Sequence, residues 1–171
     1  MNSLTPLHAR ARRFAFGAGA ALIIVLTLGQ TLRAADWNGI EPLKSRRAEV
    51  ERALGRPLQD LPGATATLRF KVAGGTVKVS FVTAKFVETK KLLPELEGTV
   101  LQVVLQHDRA TDTPDSLGLT GNSRFKREEK DDVTVFRNVK DGIVYTFVKD
   151  RLVTTYYTPA AEQWARVQTK G

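Results

Sequence analysis

His107 is the one histidine outside the first 35 residues, and Asp108, Asp112 and Asp115 follow it in one polar stretch. An imidazole among carboxylates and hydroxyls is the material of acid–base and nucleophilic chemistry. A Ser-His-Asp arrangement would use His107 with Ser116 or Ser123. No Gly-x-Ser-x-Gly turn exposes either serine. The aspartates offer oxygen ligands to a hard cation, but their spacing fits neither a calcium loop nor a two-histidine zinc helix. The stretch therefore reads as a polar surface loop with a histidine at a strand end. Glu128, Glu129, Asp131 and Asp132 are the densest carboxylates, and paired carboxylates can cleave glycosidic bonds. Arg127 and Lys130 sit among them, which is the pattern of a charged strand edge that blocks sheet-to-sheet aggregation.

Other residue sets point to binding. Ala73, Gly74 and Gly75 lack the Lys-Ser/Thr that follows in a phosphate loop. Lys85, Lys90 and Lys91 with Phe86 form either a basic surface for anionic lipid or cell-wall polymer, or a solvated face. Trp37, Tyr156 and Tyr157 are the candidate interaction surface, with Tyr145 and Trp164 in the same aromatic set. Tyr and Trp anchor interfaces, and they also pack cores. Strand alternation sends Tyr156 and Tyr157 to opposite faces. No pattern demands a cofactor or a metal.

The elements that position these residues belong to an α+β domain over residues 36–171. Val50, Ala53 and Leu54 make one apolar helical face, with Ser45 as the expected N-cap and Gly55 and Pro57 as the stop. Leu68, Phe70 and Val72, then Val77, Val79 and Phe81, alternate with polar residues around a Gly-rich turn, the pattern of a hairpin. Residues 84–93 fit a short helix before Pro94, and 99–106 another strand. Residues 107–123 read as a long loop, and 124–132 as a ragged edge strand. Strands follow over 133–138, 143–149 and 151–157, then a short helix after Pro159. This gives an antiparallel sheet of about six strands, as two hairpin-plus-strand units, covered by one or two short helices. At a shift of 66, Phe70, Val77, Val79 and Phe81 fall on Phe136, Ile143, Tyr145 and Phe147. Either a repeated unit or the common look of amphipathic hairpins accounts for that echo.

Residues 1–35 have a different character. Arg10, Arg12 and Arg13 precede an uncharged run from Phe14 to Leu32, and small residues Ala34 and Ala35 follow. Basic start, apolar core and small-residue exit form a secretory signal, with cleavage expected around Ala34 and Ala35. The run is also close to the roughly 20 residues that span a bilayer, so an uncleaved N-terminal anchor in the inner membrane is the alternative. Both readings place the domain outside the cytoplasm, periplasmic or secreted. Four of the 26 basic residues lie in this segment and none of the 18 acidic ones, so the remainder holds 22 basic residues and a net charge of +4 rather than +8. Mixed signs along an exported chain argue against nucleic acid as a partner. The absence of cysteine excludes disulfides, thiolate metal sites and a lipidated cysteine.

The segment 37–57, W-x-G-I-x-P-L followed by SRRAEVERALGRP, resembles a group of uncharacterised secreted bacterial proteins of acidobacterial type. Tyr157, Thr158 and Pro159 match their late Tyr-x-Pro. More distantly, the AEVERALGRP helix is similar to the start of the SmpA/OmlA/BamE lipoprotein and β-lactamase-inhibitor-protein-like fold. That resemblance implies a curved antiparallel sheet serving as a protein-binding surface. The expectation is an exported, non-enzymatic protein-interaction domain whose partner is an unknown envelope or secreted protein. A cell-envelope enzyme, or a membrane or cell-wall surface-binding domain, is the alternative. Membrane contact is expected only through an uncleaved N-terminal segment.

Overall fold

The computed structural model describes residues 35–61 and 66–168. Residues 1–34, over which the secretory signal and Ala34 of its expected cleavage region fall, lie outside the described residues; Ala35 is described. Trp37, Asn38, Gly39 and Ile40 form a tight turn, with Asn38 and Gly39 at φ +53° and +77°. Trp37 and Ile40 exchange backbone hydrogen bonds of 3.2 and 2.9 Å across it. Two consecutive positive φ values are what the Asn-Gly pair supplies cheaply. The turn delivers Ile40 into the core and leaves Trp37 packed at its margin.

Helix α1 (Arg47–Leu54) follows. Ser45 is not its N-cap; Arg46 holds that position, and its N–H donates to Glu49 Oε2 at 2.7 Å. The Ser45 hydroxyl instead accepts from the Glu41 N–H at 3.1 Å and is buried. The reason is local: the Ser45 carbonyl accepts from the Val100 N–H, which ties the residue to the sheet before the helix begins. Val50 is fully buried and Leu54 packs beside it, while Ala53 is exposed. Gly55 takes φ +80° and closes the helix with its N–H on Glu51 O.

Eight strands then form one sheet: β1 (Gln59–Leu61), β2 (Thr67–Val72), β3 (Gly75–Phe81), β4 (Val100–His107), β5 (Lys126–Lys130), β6 (Val133–Asn138), β7 (Ile143–Val148) and β8 (Arg151–Tyr157). The order is β1-β2-β3-β4-β8-β7-β6-β5, and every neighbouring pair is antiparallel. The expected six strands thus become eight. β1 is the edge with no forewarning: three residues, all exposed and with no alternation to betray it. β5, exposed throughout, is the charged edge strand expected within 124–132, here Lys126–Lys130. Helices α2 (Ala84–Lys90) and α3 (Ala161–Val167) bring the helix count among the described residues to three, with a 3-10 turn at Pro94–Leu96.

The sheet consists of two four-strand meanders joined through their last strands, β4 and β8. β2 and β6 coincide at the shift of 66, residue for residue. The following strands do not keep that shift. Val72 pairs with Gly75 across the first turn, whereas Asn138 pairs with Ile143 across a turn two residues longer. Phe70 therefore faces Val77, but Phe136 faces Tyr145. β4 and β8 each pass one residue out of register, at Leu101 and Val153.

Three apolar clusters sit against one face and one end of the sheet. Ile40, Val50, Leu68, Phe70, Val77, Val79 and Val103 form the first, under α1. Phe136, Phe147 and Leu152 form the second, where Leu119 and Phe125 of the long loop take the place of a helix. Val82, Leu92 and Leu96 form the third, with Phe86 and Trp164 of α2 and α3 packed on it. None of the described helices is long and apolar enough to cross a membrane.

Candidate functional site

Two places on this scaffold gather polar and aromatic groups: a cleft at the C-terminal end of β4, and the uncovered face of the sheet. The cleft is about 290 Å³, and Trp37, Gly75, His107, Arg109 and Asp112 are among its walls. Gly75 is required there. A Cβ on it would lie 2.0 Å from the Gln106 carbonyl oxygen. His107 Nε2 lies 3.0 Å from Oγ1 of Thr155, a residue only 2% exposed. Burial lowers the His107 pKa from its usual 6.5, opposed in part by the Asp112 charge.

Neither serine stands at this imidazole. Ser116 Oγ donates to Thr113 O at 3.0 Å and accepts from Thr113 N–H at 2.9 Å, so its bonds close a turn within the loop. Ser123 is exposed. Asp108 forms an ion pair with Lys71 at 2.6 Å, which lowers the carboxyl pKa. Among the described residues, no three His, Asp or Glu side chains converge to hold a metal ion. Glu128 and Glu129 point to opposite faces of edge strand β5, and Arg127 pairs with Glu129 at 2.7 Å while stacking over Phe136.

The aromatic candidates divide between the two faces. Trp37 and Tyr157 pack on the first apolar cluster. Burial, with smaller contributions from Tyr145 and Asp36, pushes Tyr157 up to about 12. Tyr156 points the other way, onto the uncovered face, as alternation requires. Trp37 and Tyr156 therefore do not share a surface. Phe86, grouped in the sequence with Lys85 and Lys90, turns inward to Trp164 at 6.4 Å between ring centroids, and the two lysines are exposed.

The uncovered face has a definite chemical order. One row of directly opposed residues runs Arg69, Lys78, Val104, Tyr156, Val144 and Arg137, across β2, β3, β4, β8, β7 and β6. The middle three are apolar or aromatic, and cations stand on both sides. None of the six is buried, whereas their neighbours in each strand fill the core face. No apolar cluster includes Val104, Tyr156 or Val144. Arg137 lies 3.9 Å from Glu128, which also pairs with Lys126 at 3.1 Å.

Of this row, only Tyr156 is singled out by residue type. Alternation within each strand places Arg69, Lys78 and Arg137 on a wet face, a signal present in the sequence. Their alignment in one row depends on the β4–β8 pairing, which joins segments fifty residues apart and has no local mark. Set against family models, curated proteins and solved structures, the chain matches none.

Proposed function

We propose that this chain is an exported, non-enzymatic interaction domain that engages a protein of the envelope or the secreted fraction through the uncovered face of its sheet. The observation that carries the reading is the row Val104, Tyr156 and Val144 at the sheet centre, framed by cations and covered by no described element. An aromatic side chain flanked by β-branched neighbours on a rigid sheet is a low-entropy anchor for a partner. The non-enzymatic part is supported by the His107 cleft, where the imidazole bonds a buried threonine and Ser116 is turned into its own loop. Export is supported by the tripartite segment at residues 1–35.

The test is a photo-crosslinking amino acid placed at Tyr156, with exposed Leu58 as the control position. The reading expects a discrete adduct from position 156 in the native envelope or secreted fraction and none from position 58. Identical patterns at both positions, or no adduct from 156, would count against it.

A further inference from the structure

The uncovered face is strongly asymmetric in charge. Its strand positions carry Arg69, Lys71 and Lys78 on one side of the apolar strip, and Lys126, Lys130 and Arg137 on the other. Glu128 is the one carboxylate among the described strand positions of this face. It is shared between Lys126 and Arg137, and Lys71 is matched by Asp108 at the sheet corner. Lys78 has no ion-pair partner among the described residues, and the Arg69 guanidinium reaches only the Gln59 amide oxygen, at 3.5 Å. The face therefore holds cations whose charge the described residues leave uncompensated.

Charge complementarity selects among occupants. A second copy stacked on this face would set cations against cations, and like charges across an interface cost several kcal/mol. A nucleic acid or an anionic bilayer would satisfy the cations but set a charged backbone or headgroup against Val104 and Val144. A protein surface with an apolar centre and carboxylates on both sides satisfies both features. Lys78 and Arg137 are four strand spacings apart, roughly 19 Å at about 4.8 Å per strand. Resting on the reading of this face as an interaction surface, we propose that its occupant is an acidic protein surface: an apolar patch bracketed by carboxylates about 19 Å apart.

Fluorescence titration of the full chain in mild detergent at low ionic strength tests this. The probes are a glutamate–tyrosine copolymer, polyglutamate, duplex DNA and phosphatidylglycerol vesicles. The proposal expects the copolymer to bind tightest, with about tenfold preference over polyglutamate, roughly the worth of a buried aromatic anchor. Lys78→Glu with Arg137→Glu should weaken copolymer binding by tenfold or more. Tyr156→Ala should erase the preference for the tyrosine-containing polymer. Lys78→Gln with Arg137→Gln, checked for an unchanged thermal melt, guards against a folding defect and should fall between the two. Tighter binding to DNA or vesicles, abolished by the charge reversal, would overturn the acidic protein partner and leave the face as the interaction surface. Copolymer binding indifferent to all three variants would overturn the face itself. No binding to any probe, together with a specific crosslink from position 156, would overturn the acidic chemistry and leave the interaction reading standing.

Discussion

The two faces of the sheet are built from alternate residues of the same strands, yet they carry opposite chemistry. On one face Leu68, Phe70, Val77, Val79, Phe136 and Phe147 are closed over by α1 and the long loop. On the other, Arg69, Lys78, Val104, Tyr156, Val144 and Arg137 meet solvent. One residue of register separates the buried core from the solvent-facing side chains. Antiparallel sheets commonly bury one face and wet the other. Here the wet face is not merely polar, because an apolar strip crosses its centre.

That contrast can be broken from either side. The largest effect belongs to the closed face. Phe147→Ala and Phe70→Ala remove fully buried rings and should each cost about 3–5 kcal/mol in urea unfolding. A loss below 1 kcal/mol would mean that this face is not the core. Gly75→Ala comes next. Its new methyl would meet the Gln106 carbonyl at 2.0 Å, and the strained β3–β4 pair should lose about 1–3 kcal/mol.

Titration perturbs the closed side more gently. The folded state favours neutral His107, so stability is full above pH 6.5 and falls as pH drops through the lowered folded pKa. His107→Gln should flatten that acidic slope relative to the unmodified chain in melts between pH 5 and 7. Tyr157 works in the opposite direction. Its folded pKa of about 12 favours the protonated phenol, so its contribution is full below pH 10 and is lost as pH rises toward 12. Tyr157→Phe should reduce the alkaline loss of stability. The smallest effect belongs to the open face: Tyr156→Thr and Val144→Thr keep a β-forming residue and should change stability by less than about 1 kcal/mol.

Much of the closed face was legible in the sequence. The helix ending at Gly55, the alternation of Leu68, Phe70 and Val72, and the last three long strands follow from local pattern. What local pattern could not supply was pairing between distant segments. β1 is too short to alternate, and Ser45 has the right chemistry for a cap but is held by the sheet instead. The echo at a shift of 66 holds through β2 and β6, where Phe70 falls on Phe136, and a turn longer by two residues displaces the strands after it. The open face was half legible. Tyr156 was marked by its type and by its opposition to Tyr157, but Lys78 and Arg137 became its row-mates only through the β4–β8 junction.

The chain has no cysteine, so single cysteines introduced into it report one position each. The most direct test of the open face is maleimide labelling of Tyr156→Cys, Val144→Cys and the control Leu58→Cys. Rates would be measured on the purified chain and in the intact native envelope or secreted fraction. The account predicts fast labelling at all three positions in the purified chain. In the native fraction it predicts strong protection at 144 and 156, with none at 58. Equal labelling of the three positions in both settings would contradict it.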